Sequence, residues 1–304
     1  MESGLKRVLL TGGSGFIGLQ CIEPLLARGY EVHATSTRAR DGDARGVHWH
    51  QVDLLKPGAA RELVATVKPS HLLHLAWYVV PGKLIASPEN FAWVSASMAL
   101  VDAFAQEGGT RLLVSGSAYE YDWNYGFCSE RLTPAVPNTP YGACKQALAT
   151  LVESYAAAVG LSASWGRVFF LYGPHEHPQR LVSSVILSLL KGEGAKCSHG
   201  RQIRDYMHVQ DVADALVAIL DSDVRGALNV CSGQATTLRE IVTAIGDVVQ
   251  RPDLILLGAI PARANDAHMV VGDPSRLRDE VSWNPRWSLD AGLRQTIEWW
   301  QEHR

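Results

Sequence analysis

Gly12, Gly15 and Gly18 stand at GxxGxxG spacing within "TGGSGFIG" (11–18), right after the apolar run "RVLL" (7–10). A helical pattern, "FIGLQCIEPLLARG" (16–29), follows at once and ends at Gly29. No other feature limits the fold as much as this junction. Glycines let a backbone turn tightly and approach a pyrophosphate, which rests on the free N–H groups of a helix N-terminus. A plain glycine-rich strand–helix turn is the rival reading, and the motifs further along favour binding.

The rest of the first half repeats the pattern. Short apolar runs at 31–36, 47–52, 71–77, 111–116 and 162–170 alternate with helical stretches such as 88–107 and 141–158. Such alternation predicts a parallel sheet covered by helices on both faces, with strands apolar on both sides. After Pro174 the pattern loosens into loops and separate helices. We expect an α/β chain: a Rossmann-type doubly wound sheet from 1–173 with about 205–231, and a smaller C-terminal α/β substrate lobe from 174–204 and 232–304. The last helix repeats Leu289, Leu293, Ile297 and Trp300 on one face, which reads as packing.

Composition narrows the function classes. A net charge of −3 gives no reason to propose nucleic acid or an anionic membrane as partner. The five cysteines are scattered without a CxxC, so they read as reduced thiols rather than a disulfide frame or zinc site. The structured motif begins by residue 11 and no apolar run approaches membrane-spanning length, so we expect no signal peptide and a cytoplasmic protein. "PHEHP" (174–178) with His199 lacks the spacing of a metal site, and no metal is expected.

The end of the second strand bears on the cofactor. An acid there would bind a free ribose diol and repel a 2′-phosphate. This chain has Ser36, then Thr37, Arg38 and Arg40. Hydroxyls with guanidinium suit a 2′-phosphate, so NADP(H) is favoured, with Arg38 as main contact and NAD(H) the alternative. A merely solvated loop is the rival. Asp53 is a candidate for the adenine amino group.

"PYGACK" (140–145) puts Tyr141 and Lys145 one helical turn apart. A phenol with a pKa of about 10 is a poor acid–base group until a neighbouring ammonium favours its phenolate. A serine hydroxyl from "VSGSAYEYD" (114–122) would complete a site that holds a carbonyl or alcohol oxygen while hydride moves at the adjacent carbon.

On these motifs the chain resembles the extended short-chain dehydrogenases/reductases of the nucleotide-sugar branch. The resemblance also rests on "HLAW" (74–77), "GRVFFLYGP" (166–174), "RDYMHVQDVADA" (204–215), "LNVCSG" (228–233) and "WNPRWSLDAGLRQTIEWW" (283–300), so it spans nearly the whole chain. It implies Tyr141 as acid–base residue, Lys145 as its partner and nicotinamide-ribose contact, and Ser117 as the hydroxyl orienting substrate. The implied cofactor site runs over Gly12, Ser14, Gly15, Phe16, Ile17, Gly18, Ser36, Thr37, Arg38, Asp53, Leu54, Leu75, Ala76, Trp77 and Ser115, with Tyr141 and Lys145. The implied substrate, a nucleoside diphosphate sugar, would meet Ser117, Ala118, Tyr119, Arg180, Arg204 and Arg263. For Arg204 and Arg263 an intramolecular salt bridge is the rival. The resemblance further implies a homodimer through helices 88–107 and 141–158.

The chain departs from the family's usual pattern. Phe169 and Phe170 stand where an asparagine is usual, Trp93 replaces another asparagine, and Trp77 and Tyr78 replace small residues. These changes imply either a more aromatic sugar site or altered packing alone. Dehydratases of the family carry acids just after the catalytic hydroxyl, and here those positions are Ala118 and Tyr119. That leaves two chemistries. One is NADPH-dependent reduction of a 4-keto-6-deoxy sugar, suggested by Ser36, Arg38 and the Glu120–Tyr121 pair. The other is epimerisation on a retained NAD(P). A non-catalytic NADP-binding regulator would have no need of Ser117, Tyr141 and Lys145 together. Glu120 reads as structural, since its place in the pattern is usually apolar.

Overall fold

A computed structural model describes residues 6–40, 46–262 and 266–303. Five strands come first: β1 (Arg7–Thr11), β2 (Glu31–Ser36), β3 (His48–Gln51), β4 (His71–His74) and β5 (Arg111–Ser117). β6 (Ser162–Val168) and β7 (Gly226–Val230) complete one sheet in the order β7-β6-β5-β4-β1-β2-β3. Every neighbouring pair is parallel. The order reverses between β1 and β4, and that switch point opens a crevice at the strands' C-terminal ends.

Both faces are covered, as the apolar strands require. Val8 and Leu10 of β1 pack with α1 (Phe16–Ala27) and α6 (Val209–Asp221). Leu9 points the other way, into a core with α2 (Ala59–Val67), α3 (Glu89–Gln106) and α4 (Pro140–Val159). α2 follows Pro57 and a left-handed Gly58 and is not among the expected helices. β4 stops at His74, three residues before the expected end of that run, and the Leu75 N–H makes a last bond to the Thr11 carbonyl.

α4 is capped at its start by Thr139, whose hydroxyl accepts from the Gly142 N–H at 3.1 Å, with Pro140 in the first turn. This fixes where Tyr141 and Lys145 enter the crevice.

A separate apolar cluster joins α5 (Leu181–Leu190), α7 (Leu238–Val249) and α8 (Leu289–His303). Leu293, Ile297 and Trp300 are buried in it, so the last helix does pack by the face its sequence marks. Two motif carboxylates act as clips between segments. Asp205 accepts from the N–H groups of Ser232, Gly233 and Gly272, and Asp211 from those of Arg286 and Trp287. No helix among the described residues is long and apolar enough to cross a membrane.

Candidate active site

The crevice is a cavity of about 680 Å³. Its floor is the glycine turn. Gly12 has φ +70°, and a Cβ there would lie 2.9 Å from the Ala76 nitrogen. A Cβ on Gly18 would lie 2.2 Å from the Gly12 carbonyl oxygen. Side chains at these two positions are therefore excluded by fit, and at Gly12 by conformation as well. Gly15 caps α1 without a side-chain bond to its first N–H groups, which leaves these donors for an anion.

Thr11 ties the floor together. Its hydroxyl accepts from the Leu75 and Ala76 N–H groups and pairs with His74 Nδ1 at 2.6 Å. His74 reaches Ser97 with its other nitrogen. Burial, with a smaller push from Lys145, lowers its pKa to about 3, so it stays neutral.

The expected cofactor residues, with one exception, line this cavity: the glycine turn, Ser36, Thr37, Asp53, Leu54, the segment Leu75–Trp77, Ser115, Tyr141 and Lys145. Arg38 is the exception. It is exposed, and its N–H donates to the Ser36 hydroxyl at 3.1 Å. The end of β2 thus presents hydroxyls and no acid. The residues fit a dinucleotide: a closely packed glycine turn, an uncapped helix start and an elongated crevice past the switch point.

At the chemical end Ser117, Tyr141 and Lys145 meet, all buried. Tyr141 hydrogen-bonds Ser117. Burial pushes the phenol up to about 12, against the lowering effect of that bond. The expected ammonium effect on the phenol is not what dominates here. Lys145 Nζ instead donates to the Ser115 carbonyl at 2.8 Å and sits 3.7 Å from the centroid of the Trp77 ring. Burial lowers its own pKa to about 7, with Glu120 pulling the other way.

Glu120 lies wholly buried behind this set. One carboxylate oxygen accepts from the Ser117 N–H at 2.7 Å, and the other pairs with Arg167 Nε at 2.7 Å. Trp165 Nε1 donates to both. Arg167 continues to Tyr121 and to Gln146 of α4. The network joins the ends of β5 and β6 to the helix carrying Tyr141 and Lys145.

Of the expected substrate residues, Ser117, Ala118, Tyr119 and Arg180 line the cavity. Arg204 does not. It pairs with Asp266 at 2.6 Å under the rings of Trp123 and Phe170, which is the salt bridge its rival reading named. Arg263 falls outside the described residues. Trp77, Trp93, Phe169 and Phe170 line the cavity, whereas Tyr78 packs into the core beside it. Trp77 and Trp93 stack with centroids 6.1 Å apart, so this part of the cavity wall is aromatic. The "PHEHP" loop lines the cavity too, through His175, Glu176, His177 and Pro178. Glu176 and Tyr206 were not among the expected contacts; the one available signal was a glutamate set between two histidines. Cys144 is buried on the core side of α4.

The geometry defines a nicotinamide-dependent oxidoreductase of the short-chain dehydrogenase/reductase type, with hydroxyl, phenol and lysine at the mouth of a dinucleotide crevice. The sequence model of the NAD dependent epimerase/dehydratase family matches residues 8–231, and the chain belongs to that family. A curated relative, UDP-glucose 4-epimerase of Rhizobium leguminosarum bv. trifolii, is 27% identical over 97% of both chains. Among solved structures, the UDP-glucose 4-epimerase of Thermus thermophilus in complex with NAD is 27% identical, with a TM-score of 0.85 over 97% of this chain and 99% of that one. MoeE5 in complex with UDP-glucuronic acid and NAD is 29% identical, with a TM-score of 0.84 over 98% and 100% of the two chains.

Proposed function

We propose that this protein is a nucleotide-sugar epimerase working on a retained nicotinamide dinucleotide. The observation that carries the reading is an intact Ser117–Tyr141–Lys145 set followed by Ala118 and Tyr119, two side chains without an acid. Ala118 is buried, and the Tyr119 ring meets Trp123 and Tyr141 with centroids 4.4 and 5.7 Å away. Neither offers the carboxyl that the family's dehydratases are expected to use in eliminating water. The similarity to UDP-glucose 4-epimerases over nearly the whole chain supports epimerisation, with a UDP-hexose as substrate, over reduction of a 4-keto-6-deoxy sugar.

In this reading Tyr141 removes the proton from the alcohol being inverted and later returns it. Ser117 holds the reacting oxygen beside the phenol. Lys145 fixes the ribose and, when charged, favours the phenolate. A bound dinucleotide supplies reversible hydride acceptance at that carbon, and its positive charge in the oxidised form helps the phenol ionise. Residues 1–173 and 205–231 would hold the dinucleotide, and 174–204 with 232–304 the sugar nucleotide. Ser36, Thr37 and Arg38 support acceptance of a 2′-phosphate, so NADP(H) is proposed alongside NAD(H). Phe91 of α3 and Leu151 and Val159 of α4 are exposed, which supports a homodimer through these helices.

The test is to incubate the purified protein with UDP-glucose and UDP-N-acetylglucosamine without added cofactor and to resolve the products by proton NMR. Interconversion at C4 is expected. No conversion of either sugar, together with NADPH oxidation on an NDP-4-keto-6-deoxyhexose, would overturn the epimerase reading in favour of the reductase.

A further inference from the structure

The open edge of the main sheet carries a second cluster of reactive side chains, on the side away from α1. β2 and β3 pair in parallel with His33 opposite His48. Strand side chains alternate, so Glu31 and His33 share a face of β2, and His48 and His50 share the same face of β3. Four potential ligands therefore meet on one patch.

Their geometry is tight. His33 Nε2 lies 2.8 Å from Glu31 Oε1, and His33 Nδ1 lies 2.9 Å from His50 Nε2. The His33 ring stacks on His48 at 4.6 Å. One ligand atom each from Glu31, His33 and His48 can be chosen so that all three lie within 4.8 Å of one another. Two ligand atoms on a tetrahedral zinc ion are about 3.3 Å apart, given metal–ligand bonds near 2.0–2.2 Å. Closing that gap requires the exposed His48 ring to turn out of its stack on His33.

We propose that Glu31, His33 and His48 form a binding site for a divalent transition metal of the zinc type, clipping the edge strand β3 to β2. Two imidazoles and one carboxylate are ligands that such an ion takes, with water in the fourth place. The ion replaces the proton now shared between His33 and Glu31. His33 then donates from Nδ1 to His50, the contact that orients a metal-bound imidazole and fixes its tautomer. Arg7 holds the carboxylate from behind, with Nε 3.1 Å from Oε1 and Nη2 3.3 Å from Oε2. Its charge opposes a cation and keeps the affinity below that of sites without such a neighbour. His48 is exposed, which gives the ion a path in from solvent.

The test uses the full chain without a histidine tag, stripped with chelator and titrated with zinc chloride in a calorimeter. One equivalent is expected to bind, and cobalt in its place should give visible absorption bands of a four-coordinate ion. His48→Gln, an exposed edge position that leaves the fold intact, should weaken zinc at least about tenfold, as should Glu31→Gln. His50→Gln should weaken it about tenfold through loss of the orienting contact. His199→Gln, outside the cluster, should change nothing. No binding in the wild type, or binding unchanged by both His48→Gln and Glu31→Gln, overturns the proposal.

Discussion

The ammonium of Lys145 lies 3.7 Å from the centroid of the Trp77 ring. The ring cannot drift away, since its Nε1 donates to Asn90 at 2.8 Å and Asn90 is held by the carbonyls of Leu84 and Ser87. Trp77 thus shields the lysine from water while facing its charge with an aromatic surface, a contact worth about 0.5–2 kcal/mol. The burial to which this ring contributes lowers the lysine's pKa to about 7.

Opening that shield should move a titration. Trp77→Leu admits water, restores solvation of the ammonium and raises the Lys145 pKa. The limb of the kcat/KM–pH profile set by this lysine, near 7 in the wild type, should shift alkaline by roughly one unit, about 1.4 kcal/mol. Trp77→Phe should shift it less. A limb that stays put in Trp77→Leu would remove Trp77 from the control of Lys145.

Tyr141→Phe keeps the ring contacts with Trp77 and Tyr119 and removes the only atom the chemistry needs. Epimerisation should fall by about 10²–10⁴-fold, the usual weight of a proton-transfer group. Thermal unfolding should stay close to wild type. A variant with half the wild-type rate would assign the proton transfer elsewhere.

The Glu120–Arg167 pair is almost fully enclosed, with side-chain exposures of 0% and 8%. Removing one charge from such a pair leaves the other buried without a counter-ion, at a cost of about 3–5 kcal/mol. Glu120→Gln keeps the shape and an acceptor for Ser117, so the loss should read out as stability in urea unfolding. Glu120→Gln combined with Arg167→Met should recover much of it. Failure of the double variant to recover would mean that the carboxylate's bonds to Ser117 and Trp165 matter more than the charge pair.

The proposed acceptance of a 2′-phosphate rests on Arg38, which makes it the residue to test. One charge-assisted hydrogen bond contributes about 1.5–3 kcal/mol, so Arg38→Ala should weaken NADP(H) by roughly tenfold or more and leave NAD(H) nearly unchanged. Fluorescence titration of the stripped protein with each dinucleotide measures this. Equal weakening of both would place no 2′-phosphate at Arg38.

The main sheet was legible because its central strands β1, β4 and β5 are rich in buried apolar residues and three of its helices run out at Gly29, Gly108 and Gly160. Tyr141, Lys145 and Ser117 were legible because each follows a local signal. What stayed hidden depends on contacts distant in sequence. Asp266, the partner of Arg204, lies 62 positions away, and no local pattern announces it. α2 has only nine residues and no side-chain cap. The histidines of β2 and β3 form a cluster only once the register sets His33 against His48. Glu120 was legible as structural, but its partners Trp165 and Arg167 sit on another strand.

Glu176 gives a prediction that needs no substrate. Its carboxyl is buried in the cavity wall, accepting from the Ser183 N–H and hydroxyl. Burial raises its pKa to about 7 from an ordinary 4.5, against the lowering effect of those bonds. Between these two values the folded state holds a proton that the unfolded state has lost, so stability from this group falls as pH rises through that window. The full effect is about 3 kcal/mol, since one pKa unit corresponds to about 1.4 kcal/mol. Glu176→Gln stays neutral at every pH and should flatten the slope. Urea unfolding at pH 5, 6, 7 and 8 should therefore show the wild type losing stability relative to the variant as pH rises, with the difference levelling off above 7. Parallel curves across that range would show that the carboxyl is ionised throughout, with its charge solvated from the cavity side.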